Sequence, residues 1–260
     1  FEFIAGMSKK LNNENVHFFM FFANNVEEEK EAYNKLIFVE KVNKIILHNL
    51  KINDQRIKLL RANNINFVTW GRTQDLKNYS WVDLDNQGSI ELIISNLIYK
   101  KHKHISYINI AENYNFAYQR KQGYLKSLKK FNIKYNNKYY ITVKNEEPEK
   151  SANLIKKMLI NNKKITAIIC ATEYTAVGAI KACNELNKKI GKDISIVTFD
   201  GPVVNRITTP SLSAVAHPRD QLGIKAIEML LSMDENNYKH QFFLAKPILI
   251  DRGTIHTVSK

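Results

Sequence analysis

Residues 168–201 read IICATEYTAVGAIKACNELNKKIGKDISIVTFDG, and they predict a strand, a helix and a second strand in succession. The apolar runs IICA and ISIVTF are continuous rather than alternating, which is typical of parallel strands covered on both faces. Thr172 and Asp200 stand where these two strands stop. Ligands bind at the carboxyl ends of strands in open α/β sheets, so both residues are candidates for a binding site.

Strand-length apolar runs recur along the whole chain. They read VHFFMFFAN, NKIILHN, NFVTWGR, HISYINI, YYITVKN, ITAIICA and ISIVTFDG. Helical patterns lie among them, at residues 26–42, 88–100 and 151–160. This alternation implies βαβ units, so the predicted fold class is α/β with doubly wound parallel sheets.

The size and composition of the chain predict a globular protein. Its 260 residues exceed the usual single core, which favours one large domain or two smaller lobes around a cleft. The two cysteines, Cys170 and Cys183, suit neither a disulfide framework nor a metal cluster, and we expect them to be core residues in a reducing compartment, the cytoplasm. No apolar run approaches the length needed to span a bilayer, so we expect a soluble chain.

The formal net charge of +14 invites a nucleic-acid or membrane interpretation. Lysine greatly outnumbers arginine and accompanies abundant asparagine and isoleucine, which favours a compositional bias across the whole chain as the source of the excess. No arginine-rich tract or basic run interleaved with aromatics marks a nucleic-acid face.

Polar and aromatic side chains stand at or just beyond the ends of several predicted strands: Trp70, Asp85, Thr172, Asp200 and His217. Carboxylates accept from hydroxyls, histidine donates, and an indole face covers the C–H face of a sugar ring, so the set predicts a neutral polyhydroxylated ligand. The alternative for each polar residue is a helix cap or a turn. Arg120, with its fork of five donors, suits vicinal hydroxyls or a carboxylate, and its alternative is a solvated helix arginine.

The sequence gives little support for catalysis. It contains no nucleophile elbow, phosphate-binding loop or zinc-protease motif, and nothing supplies a nucleophile or metal beside His217 and Asp200. His102 and His104, in KKHKHI, are interpreted as a solvated basic turn. We therefore expect no enzyme activity, no cofactor and no metal.

Residues 165–201 resemble the effector-binding core of LacI/GalR-type bacterial transcription regulators, a fold shared with periplasmic sugar-binding proteins. The matching features are a strand, a loop, an A-x-G-A helix, and a D-I-S strand that ends in Asp200. TTPSLSAVAHPRDQLGIKAIEMLL, WVDLDNQGS, RKQGY and FEFIAGM extend the resemblance over essentially the whole chain.

The resemblance implies an effector pocket and names its residues by position. They are Asp85, Arg120, Thr172, Asp200 and His217, with Tyr114 and Phe116 among the side chains that line the cleft. Thr172 and His217 depart from the Asn and Gln that are common in the family. NFVTWGRT and WVDLDNQG are similar to regulators of α-glucoside use, which implies a mono- or disaccharide as effector.

The resemblance also implies two doubly wound lobes with a ligand cleft between them. Residues 1–111 plus 218–244 would form the N-terminal lobe, and residues 112–217 plus 245–260 the C-terminal lobe. A first strand and a DNA-binding head would precede residue 1, because the chain opens on the amphipathic helix FEFIAGMSKKL. Operator DNA would then be bound through that absent helix-turn-helix head, and effector-driven closure of the lobes would control the binding.

Two classes of function remain open from the residues. The first is the sensing core of a regulator, a homodimer paired through the helices at residues 1–11 and 220–233. The second is a periplasmic sugar-binding protein of a transporter, with no DNA partner. The segments GKDISIV and HPRDQLG look more like the regulator.

Overall fold

The computed structural model describes residues 2–12, 14, 16–23, 25–144, 147–199, 201, 204–234 and 238–259. The chain divides into two compact units. The first comprises Phe1–Asp83 with Pro218–Leu244, and the second comprises Leu84–His217 with Ala245–Lys260. Each unit is built on its own sheet, which confirms the predicted α/β class.

The elements follow the predicted alternation of helices and strands. The α-helices are α1 Glu2–Leu11, α2 Val26–Asn34, α3 Gln55–Ala62, α4 Asn86–Tyr99, α5 Asn115–Lys130, α6 Pro148–Asn161, α7 Glu173–Glu185, α8 Val204–Ile207 and α9 Arg219–Leu231. The strands are β1 Lys44–His48, β2 Asn66–Trp70, β3 Ser80–Leu84, β4 Ile105–Ile110, β5 Tyr140–Val143, β6 Ala167–Cys170, β7 Ser195–Phe199, β8 Ser213–Ala216, β9 Phe242–Ala245 and β10 Ile248–Ile250. A π-helical turn, Lys35–Val39, extends α2, and 3-10 turns lie at Asn137–Tyr139 and Ser232–Asp234.

The first unit holds a sheet in the order β1-β2-β3-β9, in which β1, β2 and β3 are parallel. One of its cores is apolar and aromatic, with buried side chains from β1, α3, β2, β3 and the loops beside them: Leu47, Leu50, Ile57, Leu60, Phe67, Tyr79 and Trp81. Elsewhere in this unit α1 packs against α9 at very short range. A Cβ atom at Gly223 would lie 2.1 Å from the carbonyl oxygen of Phe3, so only glycine permits this helix crossing.

The packing of α1 on α9 corrects one expectation. Phe3 and Met7 of α1 and Leu222 and Met229 of α9 are buried within the unit. The apolar stripes of the two helices therefore form core, and they lend no support to pairing about a twofold axis.

The second unit holds a sheet in the order β10-β8-β7-β6-β4-β5, parallel except for the antiparallel β10. Successive strand residues point to opposite faces. Tyr107 and Ile169 join a core with α4 and α5, while Ile108 and Ile168 join a second core with α6 and α7. Helices cover both faces of these strands, which is why their sequences read as continuous apolar runs.

The division of the chain differs from the expected one at its first boundary. Residues 84–111 lie in the second unit, because α4 packs on α5 and β4 lies between β6 and β5 in that unit's sheet. Apolar pattern locates a strand, but only backbone pairing determines which sheet it joins.

Two further expectations are wrong. The run at residues 16–23 is not a strand; it lacks regular secondary structure, and Phe19 and Phe22 are 71% and 84% exposed. His102 is not solvated, since it is buried among polar partners, whereas His104 is partly buried beside Tyr139.

Both cysteines are core residues, as predicted. Cys170 ends β6 and Cys183 lies on α7, and both are buried in the same core. Burial raises the pKa of both thiols, that of Cys183 to about 12. Among the described residues, no helix is both long and apolar enough to cross a bilayer.

Candidate ligand-binding site

Arg120, on the second turn of α5, connects several loops of the second unit. Its Nε donates to Oδ1 of Asn86, the first residue of α4, at 2.9 Å, and its Nη1 donates to the carbonyl oxygen of Ala171, just after β6, at 2.6 Å. The side chain is only 6% exposed. The interpretation as a solvated helix arginine is therefore wrong, and the guanidinium has a fixed position at the carboxyl edge of the sheet.

Two aromatic rings pack on the Arg120 guanidinium. Its central carbon lies 3.4 Å from the ring centroid of Phe199, the last residue of β7, and 5.0 Å from that of Phe116, one turn earlier on α5. A planar cation is attracted to an aromatic face, more strongly where water is excluded. The aromatic rings and the two hydrogen bonds together hold the guanidinium rigidly.

Asn86 completes this arrangement from the first position of α4. Its amide nitrogen donates to the carbonyl oxygen of Leu84 and to Oε1 of Gln119, both at 3.1 Å, which leaves its oxygen to accept from Arg120. The side chain is buried. The amide orientation is therefore set by its neighbours, and the loop after β3 is tied to α5.

The side chains of Asp85 and Thr172 both cap helices. Oδ1 of Asp85 accepts from the backbone of Gly88 at 2.9 Å, and Thr172 forms a reciprocal capping box with Thr175 at the start of α7. The cap interpretation that the sequence left open thus describes what these side chains do in the structure. A role in ligand contact stays a prediction for both.

His217 follows β8 and packs on Phe199, the two rings lying nearly parallel with centroids 6.3 Å apart. Its Nε2 is 3.0 Å from Oγ of Ser89, and that hydroxyl already donates to the carbonyl oxygen of Asp85 at 2.5 Å. Because a hydroxyl has only one proton, Ser89 accepts here and Nε2 of His217 is the donor. This fixes both the ring and its tautomer.

Tyr114 and Phe116 lie where α5 begins. Their rings stack with centroids 5.9 Å apart and an interplanar angle of 23°. Tyr114 occupies the cap position without a capping hydrogen bond from its side chain. The structure therefore links both residues to Arg120 through Phe116.

Trp70 belongs to the first unit. It ends β2, and its indole stacks on Phe3 with centroids 4.0 Å apart and an interplanar angle of 13°, while the ring of His48 lies 4.3 Å away. One face of the indole is thus covered by Phe3. Asp200, the remaining predicted residue, lies outside the described residues.

Three residues of this arrangement were not singled out from the sequence: Asn86, Ser89 and Phe199. Asn86 and Ser89 stand within four residues after Asp85, and Phe199 immediately precedes Asp200. Their positions at strand ends were visible, but their contacts with Arg120 and His217 arise only when the strands align. In the part of the chain that the structure describes, no cluster of three or more His, Cys, Asp or Glu side chains could hold a metal ion.

The arrangement defines a class of protein. The chain has two α/β units, and one of them holds a rigid cluster of polar and aromatic groups at the carboxyl edge of its sheet. This architecture is typical of binding proteins and does not indicate a particular enzymatic reaction. The family model of the periplasmic binding protein-like domain matches residues 94–255. The chain belongs to this family.

The curated relatives are transcription regulators rather than enzymes. The HTH-type transcriptional regulator AglR of Rhizobium meliloti is 28% identical over 202 residues, covering 76% of this chain and 56% of AglR. The HTH-type transcriptional repressor PurR of Actinobacillus pleuropneumoniae is 26% identical over 250 residues, covering 93% of this chain and 73% of PurR. The chain thus spans just over half the length of AglR.

The solved structures that this chain resembles are also regulatory proteins. A regulatory protein of the LacI family from Chloroflexus aggregans superposes with a TM-score of 0.88 at 25% identity, covering 97% of this chain and 91% of that one. A complex of the transcriptional regulator CelR with cellobiose superposes with a TM-score of 0.90 at 18% identity, covering 97% and 78%, and it shows the fold alone. These similarities confirm the resemblance to LacI-type regulators that was stated from the sequence.

Proposed function

We propose that this core senses a neutral mono- or disaccharide, which binds at the carboxyl edge of the sheet in the second unit. The observation that carries the proposal is the Arg120 cluster. One rigid guanidinium joins the loops after β3 and β6 and the end of β7, and aromatic rings surround it. A preorganised polar group beside aromatic faces suits a ligand with hydroxyl groups and apolar C–H faces.

The proposed contacts follow from the chemistry of each side chain. Asp85 and Asp200 accept hydrogen bonds from sugar hydroxyls, Arg120 donates, and Thr172 and His217 exchange hydrogen bonds with the remaining hydroxyls. Tyr114 and Phe116 offer aromatic faces to the ring, and a role for Trp70 of the first unit stays a prediction. For Asp85 and Thr172 this role would add to the helix caps they already form.

We further propose that the core acts in the cytoplasm as a homodimer and controls operator binding by a helix-turn-helix segment outside this sequence. The HTH-type names of the relatives support the DNA partner. Under this proposal the core has no enzymatic activity and binds operator DNA only nonspecifically, with the salt sensitivity expected of its lysine excess. The mass of the core measured by sedimentation would test whether it is a homodimer in solution.

The second candidate is a periplasmic sugar-binding protein of a transporter, which the family fold alone would also permit. The curated relatives described above are regulators, and this favours the first candidate. The upstream coding sequence separates the two, because a helix-turn-helix indicates a regulator and a signal peptide indicates a transporter component.

A thermal-shift screen tests the sensing function. The chain is melted alone and with glucose, maltose, cellobiose and adenine, since a ligand that binds only the folded state adds about 2.7 kcal/mol at a concentration about a hundred times Kd. We expect a sugar to raise Tm and adenine to leave it unchanged. Stabilisation by adenine alone, or by none of the four, would contradict the proposal.

Two matched variants show whether a stabilising sugar binds at the proposed place. Arg120→Lys keeps the charge but loses the planar fork, and we expect it to weaken sugar binding by about tenfold or more. Arg61→Lys makes the same exchange at an exposed arginine of the first unit and should bind like the wild type. Equal affinity in both variants would place the sugar elsewhere.

A further inference from the structure

Glu112, in the loop between β4 and α5, receives hydrogen bonds from two neighbouring elements. Its Oε2 accepts from Nζ of Lys121 on α5 at 2.6 Å, and its Oε1 accepts from the hydroxyl of Tyr140 on β5 at 2.8 Å. Thr142 of β5 adds a longer contact to Oε1 at 3.4 Å. One carboxylate thus ties its loop to a helix and to the edge strand of the sheet.

A chain of hydrogen bonds continues from Glu112 into the core. The Tyr140 hydroxyl accepts from Nδ2 of Asn109 at 2.9 Å, and the same nitrogen donates to the carbonyl oxygen of Ala117 at 3.0 Å. Oδ1 of Asn109 accepts from the hydroxyl of Tyr107 at 3.0 Å. Every hydrogen bond in this network has a defined donor and acceptor. The network therefore fixes the first turn of α5 against β4.

The protonation states match what this network requires. Burial by itself would raise the pKa of Glu112, but the hydrogen bonds from Lys121 and Tyr140 and the charge of Lys121 outweigh it, and the net pKa is lowered. Burial raises the pKa of Tyr140, so its hydroxyl stays protonated and can donate. The carboxylate is therefore ionised and the phenol neutral at neutral pH.

The network holds the same short segment that carries the candidate site. Tyr114 lies in the loop that Glu112 anchors, Phe116 precedes Ala117, and Arg120 immediately precedes Lys121. A helix that shifts at its first turn moves every side chain it presents. The direction of the Arg120 guanidinium thus depends on the Glu112 network as well as on its own hydrogen bonds.

We propose that Glu112 is a positioning residue for the sugar site. Its carboxylate fixes the amino-terminal turn of α5, and through that turn it holds Phe116 and Arg120 in the geometry that binds the ligand. The inference rests on the proposed function, because it names the residue that preorganises the same site. A residue that merely stabilises the fold would change Tm and leave the affinity intact.

Three variants test this role. Glu112→Ala removes every contact of the carboxylate, whereas Glu112→Gln keeps an acceptor for the Tyr140 hydroxyl. Glu91→Ala is the control, because Glu91 forms an exposed ion pair with Lys130 at the far end of α5. Each variant is titrated by calorimetry with whichever of glucose, maltose or cellobiose stabilises the wild type most, and its hydrogen exchange is measured without sugar.

We expect Glu112→Ala to exchange about tenfold faster at the amides of residues 118–121 and to bind the sugar about five- to tenfold more weakly. Glu112→Gln should recover most of both losses, and Glu91→Ala should match the wild type. Wild-type affinity in Glu112→Ala, even with a lower Tm or faster exchange, would overturn the proposal. A wild type that binds none of the three sugars contradicts the proposed function instead, and the exchange rates then decide alone whether Glu112 fixes α5.

Discussion

His102 makes the stability of the second unit depend on pH. The ring is fully buried, with Nδ1 at 2.9 Å from the hydroxyl of Thr166 and Nε2 at 2.9 Å from the carbonyl oxygen of His256. A carbonyl oxygen only accepts, so Nε2 carries the proton and Nδ1 accepts from Thr166. The neutral ring therefore satisfies both contacts.

Burial lowers the pKa of His102 from 6.5 to about 4; the hydrogen bond with the His256 backbone opposes this shift, and the charges of His256 and Lys100 add to it. Between these two values the unfolded chain binds a proton that the folded chain does not, so stability falls as the pH falls. At about 1.4 kcal/mol per pH unit, the loss amounts to about 3 kcal/mol. The stability that the neutral His102 ring contributes is fully present above pH 6.5 and is lost near pH 4.

The assay is urea unfolding of the wild type and His102→Asn between about pH 7 and about pH 4. The variant should be less stable near pH 7, and the difference from the wild type should shrink by about 3 kcal/mol as the pH falls. His17→Asn replaces an exposed histidine, and its difference from the wild type should stay constant. A constant difference for His102→Asn as well would refute the argument.

Three other substitutions follow from single contacts. Thr172→Ala removes the capping box of α7 and should lower the free energy of unfolding by about 1 kcal/mol in urea denaturation, whereas an unchanged value would mean that the cap contributes nothing. Gly223→Ala forces α1 and α9 apart and should cost about 2 kcal/mol or more by the same measurement; a wild-type value would show that the helices separate freely. Asp200→Ala should weaken sugar binding in calorimetry by about tenfold or more while Tm stays near that of the wild type, and unchanged affinity would remove Asp200 from the site.

The order of helices and strands followed from the sequence because burial on both faces leaves a local signature. The apolar run at residues 105–110 predicts β4 since Tyr107 and Ile108 meet different helices on opposite faces. The run at residues 16–23 shows the limit of this signal. Apolar residues make a strand only where a neighbouring backbone pairs with them, and pairing is not encoded in the run itself.

The site could be predicted in part. Positions at strand ends suggested Thr172 and His217, and the donor fork and the family resemblance suggested Arg120. Sequence could not show that the Thr172 side chain caps α7. It also could not show that Arg120 packs on Phe199, a residue distant in the chain that meets it only after the sheet has formed. His102 was misread for the same reason, since its polar partners come from remote segments.

The central claim is that a sugar binds beside the Arg120 guanidinium. The most direct measurement follows the Nε–H resonance of Arg120 by nitrogen-15 NMR during titration with the sugar that stabilises the chain most, and Arg61 provides the reference resonance. We predict that the Arg120 signal shifts and saturates with the same Kd as calorimetry, while the Arg61 signal stays in place. Saturating binding with an unmoved Arg120 resonance would contradict the account.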